Sequence, residues 1–223
     1  MMSTALLVFA GGAIIAVLLG RLLRVKGSPP HPKFIGGMAG DTPIQIPGSS
    51  MALHAELIAA AERHMGFQQK LELKSIFDLV TSSRYSEAME LITHALGAQL
   101  APDHRLLLLW LKSNVCQRAG EVEGEIAVLE TLCALRSHRM FELNLGNAYA
   151  KCGDYAAAEK RLLKAISLAN GAYPLARHNL GCLYCRMKRK NDAVVQLKAL
   201  EDSTEEVPGE LLDMLRLRIS ELG

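Results

Sequence analysis

Gly146–Ile166 reads GNAYAKCGDYAAAEKRLLKAI, and Gly181–Leu200 reads GCLYCRMKRKNDAVVQLKAL. Set 35 residues apart, the two stretches repeat one pattern. Leu145-Gly146 falls on Leu180-Gly181, Tyr149 on Tyr184, Ala158 on Ala193 and Leu162 on Leu197. Two weaker copies lie upstream. Ser83–Leu96 (SRYSEAMELITHAL) repeats the second half of the pattern with Tyr85, Ala88 and Ala95 in place. Arg118-Ala119-Gly120-Glu121 repeats the turn Lys151-Cys152-Gly153-Asp154. A period in the mid-thirties is that of stacked helical hairpins. One hairpin cannot bury its apolar face alone, so its neighbours must stack on it.

The rest of the chain divides around this array. Of its 223 residues, 22% are charged and 5% aromatic, and Leu and Ala are plentiful, which favours helix over strand. Residues 51–223 form the predicted repeat domain. It is bounded by apolar stripes at Leu53, Leu57, Ala61 and Met65 and at Leu211, Leu215, Ile219 and Leu222. Residues 27–50 hold five of the eight prolines, too many for a persistent helix or central strand, and read as a linker. Met1–Gly20 carries no charge, with Arg21, Arg24 and Lys26 following it. As a helix this run spans roughly 30 Å, the thickness of a bilayer core. Residues 1–26 are therefore expected to be a transmembrane anchor and basic flank, in preference to a cleaved signal peptide, which would carry its basic residues first. That layout makes a single-pass membrane protein with a cytosolic repeat domain. A bacterial inner membrane is its expected seat, with the mitochondrial outer membrane as the alternative. The five cysteines are scattered and odd in number, which suits a reducing compartment. A formal charge of +2 offers no concentrated basic surface, so no nucleic-acid partner is predicted.

The repeated residues resemble the tetratricopeptide repeat, whose pattern is Trp-x-x-Leu-Gly-x-x-Tyr on a first helix, then Ala, a bulky apolar residue and Ala on a second. Arg139–Ala172 has Leu145, Gly146, Tyr149, Ala158, Leu162 and Ala165, with Glu142 in place of Trp. Pro174–Val207 has Leu180, Gly181, Tyr184, Ala193 and Leu197, with Leu200 for the later Ala and Pro208 just beyond. Gln69–Arg105 and Leu106–His138 are degenerate, Ser113 replacing Gly and Cys116 replacing Tyr. The resemblance implies an all-α solenoid of about four hairpins, closed by the amphipathic segment Pro208–Leu222.

It also implies a concave face lined by first helices, here Leu73, Phe77, Trp110, Asn114, Leu143, Asn144, Asn147, Lys151, His178, Asn179 and Cys182. Asparagine amides both donate and accept, so Asn114, Asn144, Asn147 and Asn179 would suit an extended ligand, and the groove as a whole a peptide or helix of a protein partner. Phe77 and Trp110 would be apolar anchors. The competing reading makes the asparagines supports of the stack and the two aromatics core. Some members of the family clamp a chaperone's C-terminal carboxylate, but the basic residues of that clamp are not matched here. Self-association through the repeats is a further possibility.

His178, Cys182 and Cys185 stand at i, i+4 and i+7 on one helix face and form a candidate zinc or thiol site. A lone C-x-x-C without a second pair does not specify a metal or redox site, and small apolar packing is the preferred account of both cysteines. Arg186, Lys188, Arg189 and Lys190 form a basic turn, read as solvated surface before any anionic contact. The chain has no Gly-rich phosphate loop, G-x-S-x-G or H-E-x-x-H. It is expected to be a non-enzymatic scaffold or adaptor without a cofactor, with a metal- or thiol-dependent protein as the rival.

Overall fold

A computed structural model of the chain describes residues 47–203 and 207–222. These residues form ten helices: α1 (Pro47–Glu62), α2 (Phe67–Thr81), α3 (Tyr85–Leu96), α4 (Pro102–Ala119), α5 (Val122–Leu135), α6 (Arg139–Cys152), α7 (Tyr155–Ser167), α8 (Pro174–Arg186), α9 (Lys190–Glu201) and α10 (Gly209–Ser220). Proline stands at the start of α4 and α8, where its missing N–H costs nothing and its fixed φ suits a helix. Helix α7 starts where Asp154 accepts the Ala157 N–H at 3.0 Å.

Four turns of one geometry set the architecture. Ser83, Gly120, Gly153 and Lys188 all adopt left-handed backbone, with φ of 58°, 78°, 87° and 58°. In each turn the next residue's N–H returns to a carbonyl five residues back. The bonds are Arg84 to Leu79, Glu121 to Cys116, Asp154 to Tyr149 and Arg189 to Tyr184, at 2.8–3.0 Å. This is the Schellman closure, which satisfies carbonyls left open at a helix end. It folds α2 onto α3, α4 onto α5, α6 onto α7 and α8 onto α9, and successive pairs stack through α3–α4, α5–α6 and α7–α8. Helix α10 covers α8 and α9 at the far end.

Close packing within this stack uses the two glycines of the repeat. A Cβ on Gly146 would lie 2.9 Å from Leu162 Cγ, so α6 and α7 approach only because that atom is missing. The matching Gly181 departs from the pattern. Its Cβ would meet Leu215 of α10 at 2.8 Å, and the aligned Leu197 is only partly buried. Tyrosines join one pair to the next: Tyr149 donates to Glu130 at 2.6 Å and Tyr184 to Glu159 at 2.8 Å. Glu142, in place of the family's Trp, is fully buried and pairs with Arg161 at 3.2 Å and with Lys164. One pair later Arg177 donates to Gln196 at 3.2 Å, the same link with its charge reversed.

Two expectations are corrected. The anticipated transmembrane segment, residues 1–26, lies outside the described residues, as do residues 27–46 of the linker. Among the described residues no helix is long and apolar enough to cross a membrane. An uncharged run marks hydrophobic sequence, but a span needs a long helix apolar all round. Even α4, with four consecutive leucines, carries Asp103, Arg105, Lys112 and Arg118. The described residues therefore form an all-α solenoid with no transmembrane helix among them. The single-pass localisation, in a bacterial inner or mitochondrial outer membrane, does not stand. Helix α1 begins at Pro47, four residues inside the stretch read as linker.

Two stability predictions follow from these contacts. A Cβ at Gly153 would touch nothing, so Gly153→Ala isolates backbone strain and should lower stability by about 1–2 kcal/mol. Lys188→Gly relieves that strain and should raise it by about 0.5 kcal/mol after glycine's own entropy cost. At Glu142 the asymmetry is larger. Arg161→Ala with Lys164→Ala leaves a buried carboxylate uncompensated, at a cost on the order of 3–5 kcal/mol. Glu142→Gln frees two cations that reach water and should cost about 1–2 kcal/mol. Urea unfolding orders both pairs; equal losses for the two Glu142-site variants would refute the assignment of a buried charge.

Candidate partner-binding face

The first helices of the pairs, α2, α4, α6 and α8, carry the residues singled out from the sequence, and one end of their face is already filled. Helix α1 packs along α4 and buries Leu53, Leu57, Ile58 and Ala61. His54 stands among the aromatics beneath it, its ring 6.5 Å from Phe77 and 5.9 Å from Trp110. Trp110 Nε1–H donates to His54 Nδ1 at 3.3 Å, and Phe141 extends the cluster 5.5 Å beyond Trp110. Glu56 reaches Arg136 at the end of α5. Phe77 and Trp110 are thus buried anchors, at 2% and 0% exposure, and what they hold is a helix of the same chain.

The other half of the face is polar. Asn179 Nδ2 donates to Asn147 Oδ1 at 2.9 Å, joining α8 to α6. Asn114 turns back to its own helix, donating to the Trp110 carbonyl at 2.9 Å. Leu73, Leu143 and Asn144 are buried. Lys151 donates to Glu125 at 3.0 Å, and Gln117 bonds the same carboxylate at 3.2 Å. Burial raises the pKa of Glu125, and the Lys151 ammonium opposes that rise.

His178 is buried, with Nδ1 3.3 Å from Asn179 Oδ1. Cys182 Sγ lies 3.6 Å from one ring nitrogen and 3.9 Å from the other. Near-equal distances place the sulfur between the nitrogens, off the line of either lone pair, whereas a shared zinc or a proton transfer needs a nitrogen aimed at its partner. Burial pushes the Cys185 thiol up, away from the thiolate that metal or redox chemistry uses. Among the described residues, no group of three or more His, Cys, Asp and Glu is placed to hold a metal ion. In the basic turn, Arg189 is held by Glu159 at 2.9 Å and Asp192 at 2.6 Å and lies over the Tyr184 ring.

Sequence reading marked the α1 stripe as apolar but not its seat, and it passed over His54. The one available signal was a histidine one residue beyond Leu53 in an otherwise aliphatic stripe. Because Nδ1 accepts from Trp110, the neutral ring carries its proton on Nε2, which is buried without a partner. Burial, with the Arg118 guanidinium adding to it, pushes this imidazole down from 6.5 to about 4. A released α1 would titrate near 6.5. The seated form therefore binds fewer protons between these values, so seating is strongest above pH 6.5 and weakens as pH falls toward 4. The full effect is roughly 3 kcal/mol. His138 at the start of α6 is lowered as well, first by burial and then by Arg136, against the opposing Glu56. Emission from the single Trp110 should shift toward that of a wetter indole across this window, and His54→Asn should remove part of the shift. An unchanged profile in that variant would exclude His54 as the titrating group.

Comparison with known proteins agrees with this geometry. A family model described as tetratricopeptide repeat matches residues 143–172, which span most of α6 and all of α7. No curated protein sequence matches the chain. Among solved structures, one titled as a MamA crystal structure is 17% identical, with a TM-score of 0.53, covering 66% of this chain and 93% of that one. A second MamA structure is 18% identical, with a TM-score of 0.56, covering 71% and 91%. A MamA double mutant is 17% identical, with a TM-score of 0.56, covering 71% and 96%. Residues 143–172 match the tetratricopeptide repeat, and the described chain shares the fold of MamA.

Proposed function

We propose that this protein is a non-enzymatic scaffold or adaptor that recruits another protein by taking one of its peptides or helices on the first-helix face. The observation that carries this reading is the seating of α1 over Phe77 and Trp110, a helix buried along one side and held on that face by aromatic anchors and one polar bond. Two neighbouring surfaces suit a protein ligand. Apolar anchors beneath α1 offer the desolvated pockets in which binding energy concentrates. Beyond them, with Lys151 at the edge, Asn114, Asn144, Asn147, His178 and Asn179 carry amides and an imidazole that can both donate and accept; all but Asn114 are buried, so a ligand reaches them only by opening their packing. The off-axis approach of Cys182 to His178 gives the metal- or thiol-dependent alternative no comparable support.

The test is crosslinking in intact cells followed by mass spectrometry, comparing wild type with the double variant Asn147→Ala, Asn179→Ala. Removing both members of the pair leaves only His178 Nδ1 without its Asn179 contact, so the melting temperature should fall by a few degrees while the variant still folds. The reading expects a defined set of partners whose capture falls at least fivefold in the variant. Capture of the same partners at the same yield by a folded variant would remove the asparagines from the binding face. Absence of any specific partner from wild type would defeat the recruitment reading as a whole.

A further inference from the structure

The segment Pro47–Glu62 differs from the eight helices of the four pairs. It is not folded onto α2 by a left-handed turn as the four pairs are; it reaches past the first pair to pack on α4. Only residues 63–66 join it to α2. Its seat is apolar at Leu53, Leu57, Ile58 and Ala61, a spacing that any amphipathic helix can present. The polar fit is incomplete. His54 leaves Nε2 buried and unbonded, and Glu56–Arg136 is a half-exposed ion pair of the kind that contributes little to stability.

We infer that α1 is a displaceable plug, which fills in cis a helix-binding seat on α2 and α4 that an amphipathic helix of a partner protein takes in its place. The inference rests on the proposed recruitment function and adds what the seat accepts and how it is closed. The incoming helix needs apolar residues at the spacing of Leu53, Leu57, Ile58 and Ala61. It also needs an acceptor for the Trp110 N–H and a carboxylate opposite Arg136. A plug tied by four residues competes at an effective concentration on the order of millimolar. The closed chain therefore resists weak ligands and admits only a helix that fits better than α1, or one that arrives when α1 is loosened.

The test uses the full chain and a synthetic peptide of residues 47–62. Trp110 is the only tryptophan and lies in the seat, so its emission reports occupancy. In wild type the peptide must compete with the tethered plug, and binding should be weak. In the full chain carrying Leu57→Asp the plug is released, and the same peptide should bind at least 100-fold tighter and return Trp110 emission to the wild-type position. A peptide that itself carries Leu57→Asp should bind neither chain. Equal affinity of the native peptide for both chains, or no binding to a Leu57→Asp chain that loses no more helicity than α1 contributes, overturns the inference. Should Leu57→Asp fail to fold, hydrogen exchange on wild type decides the matter. Amides of α1 are expected to exchange at least tenfold faster than those of α4, and equal protection would make α1 an integral part of the core. These outcomes are separate from the cellular test: partners captured without peptide binding would defeat the plug alone.

Discussion

Nine consecutive residues of α6, Met140 to Ala148, are buried, and the rest of the structure depends on how that helix tolerates having no face left for water. A helix packed on all sides cannot turn its polar groups outward, so they must find partners inside the protein. Glu142 finds Arg161 and Lys164 on the paired helix α7. Asn147 finds Asn179 on the next first helix. One contact fixes α6 within its own pair and the other fixes it to the following pair. Gly146 then sets how closely α7 can approach. The stack is thereby specified by a few paired polar groups in an otherwise aliphatic interior.

The same requirement explains why the departures from the repeat pattern are tolerated. Where the family places Trp, this chain has Glu142 and, one pair later, Arg177, and each is met by the second helix of its own pair at 3.2 Å. The position needs a side chain that crosses to the second helix, and an ionic or amide bridge serves as well as an aromatic ring. At the opposite end of the array Leu215 takes the place beside Gly181 that the pattern gives to Leu197. The last pair has no following pair to stack on, so α10 supplies the missing apolar contact, as a terminal repeat requires.

How far the sequence was legible follows from what each signal encodes. Gly120 and Gly153 announced their turns because left-handed backbone favours glycine. Ser83 and Lys188 adopt the same backbone without that signal, so the first and last turns were visible only through the period. The Leu53, Leu57, Ala61 and Met65 stripe foretold a buried helix, but a stripe says which face is covered and not what covers it. It therefore could not place α1 on Trp110. Asparagine presented the opposite difficulty. A side chain that can bond a peptide backbone can equally bond another asparagine, and Asn147 with Asn179 does so. The Cys182–Cys185 pair illustrates a third limit. Spacing put His178 and both cysteines on one face, but the direction of a lone pair is a property of the rotamer, which no spacing contains.

The two halves of the first-helix face make different demands on anything that binds there. Around Phe77 and Trp110 the surface is apolar, and binding must remove α1 or imitate it. Around Asn147 and Asn179 the surface is a closed hydrogen bond, and a ligand must offer amide groups at least as well placed to open it. An extended peptide alone would satisfy the second half and leave the first unfilled. A helix alone would fill the first and present few free backbone groups to the second, since a helix bonds its own. A ligand covering the whole face would have to be helical over α2 and α4 and extended over α6 and α8. Because α1 supplies only a helical part, the cis contact leaves the Asn147–Asn179 bond as it stands.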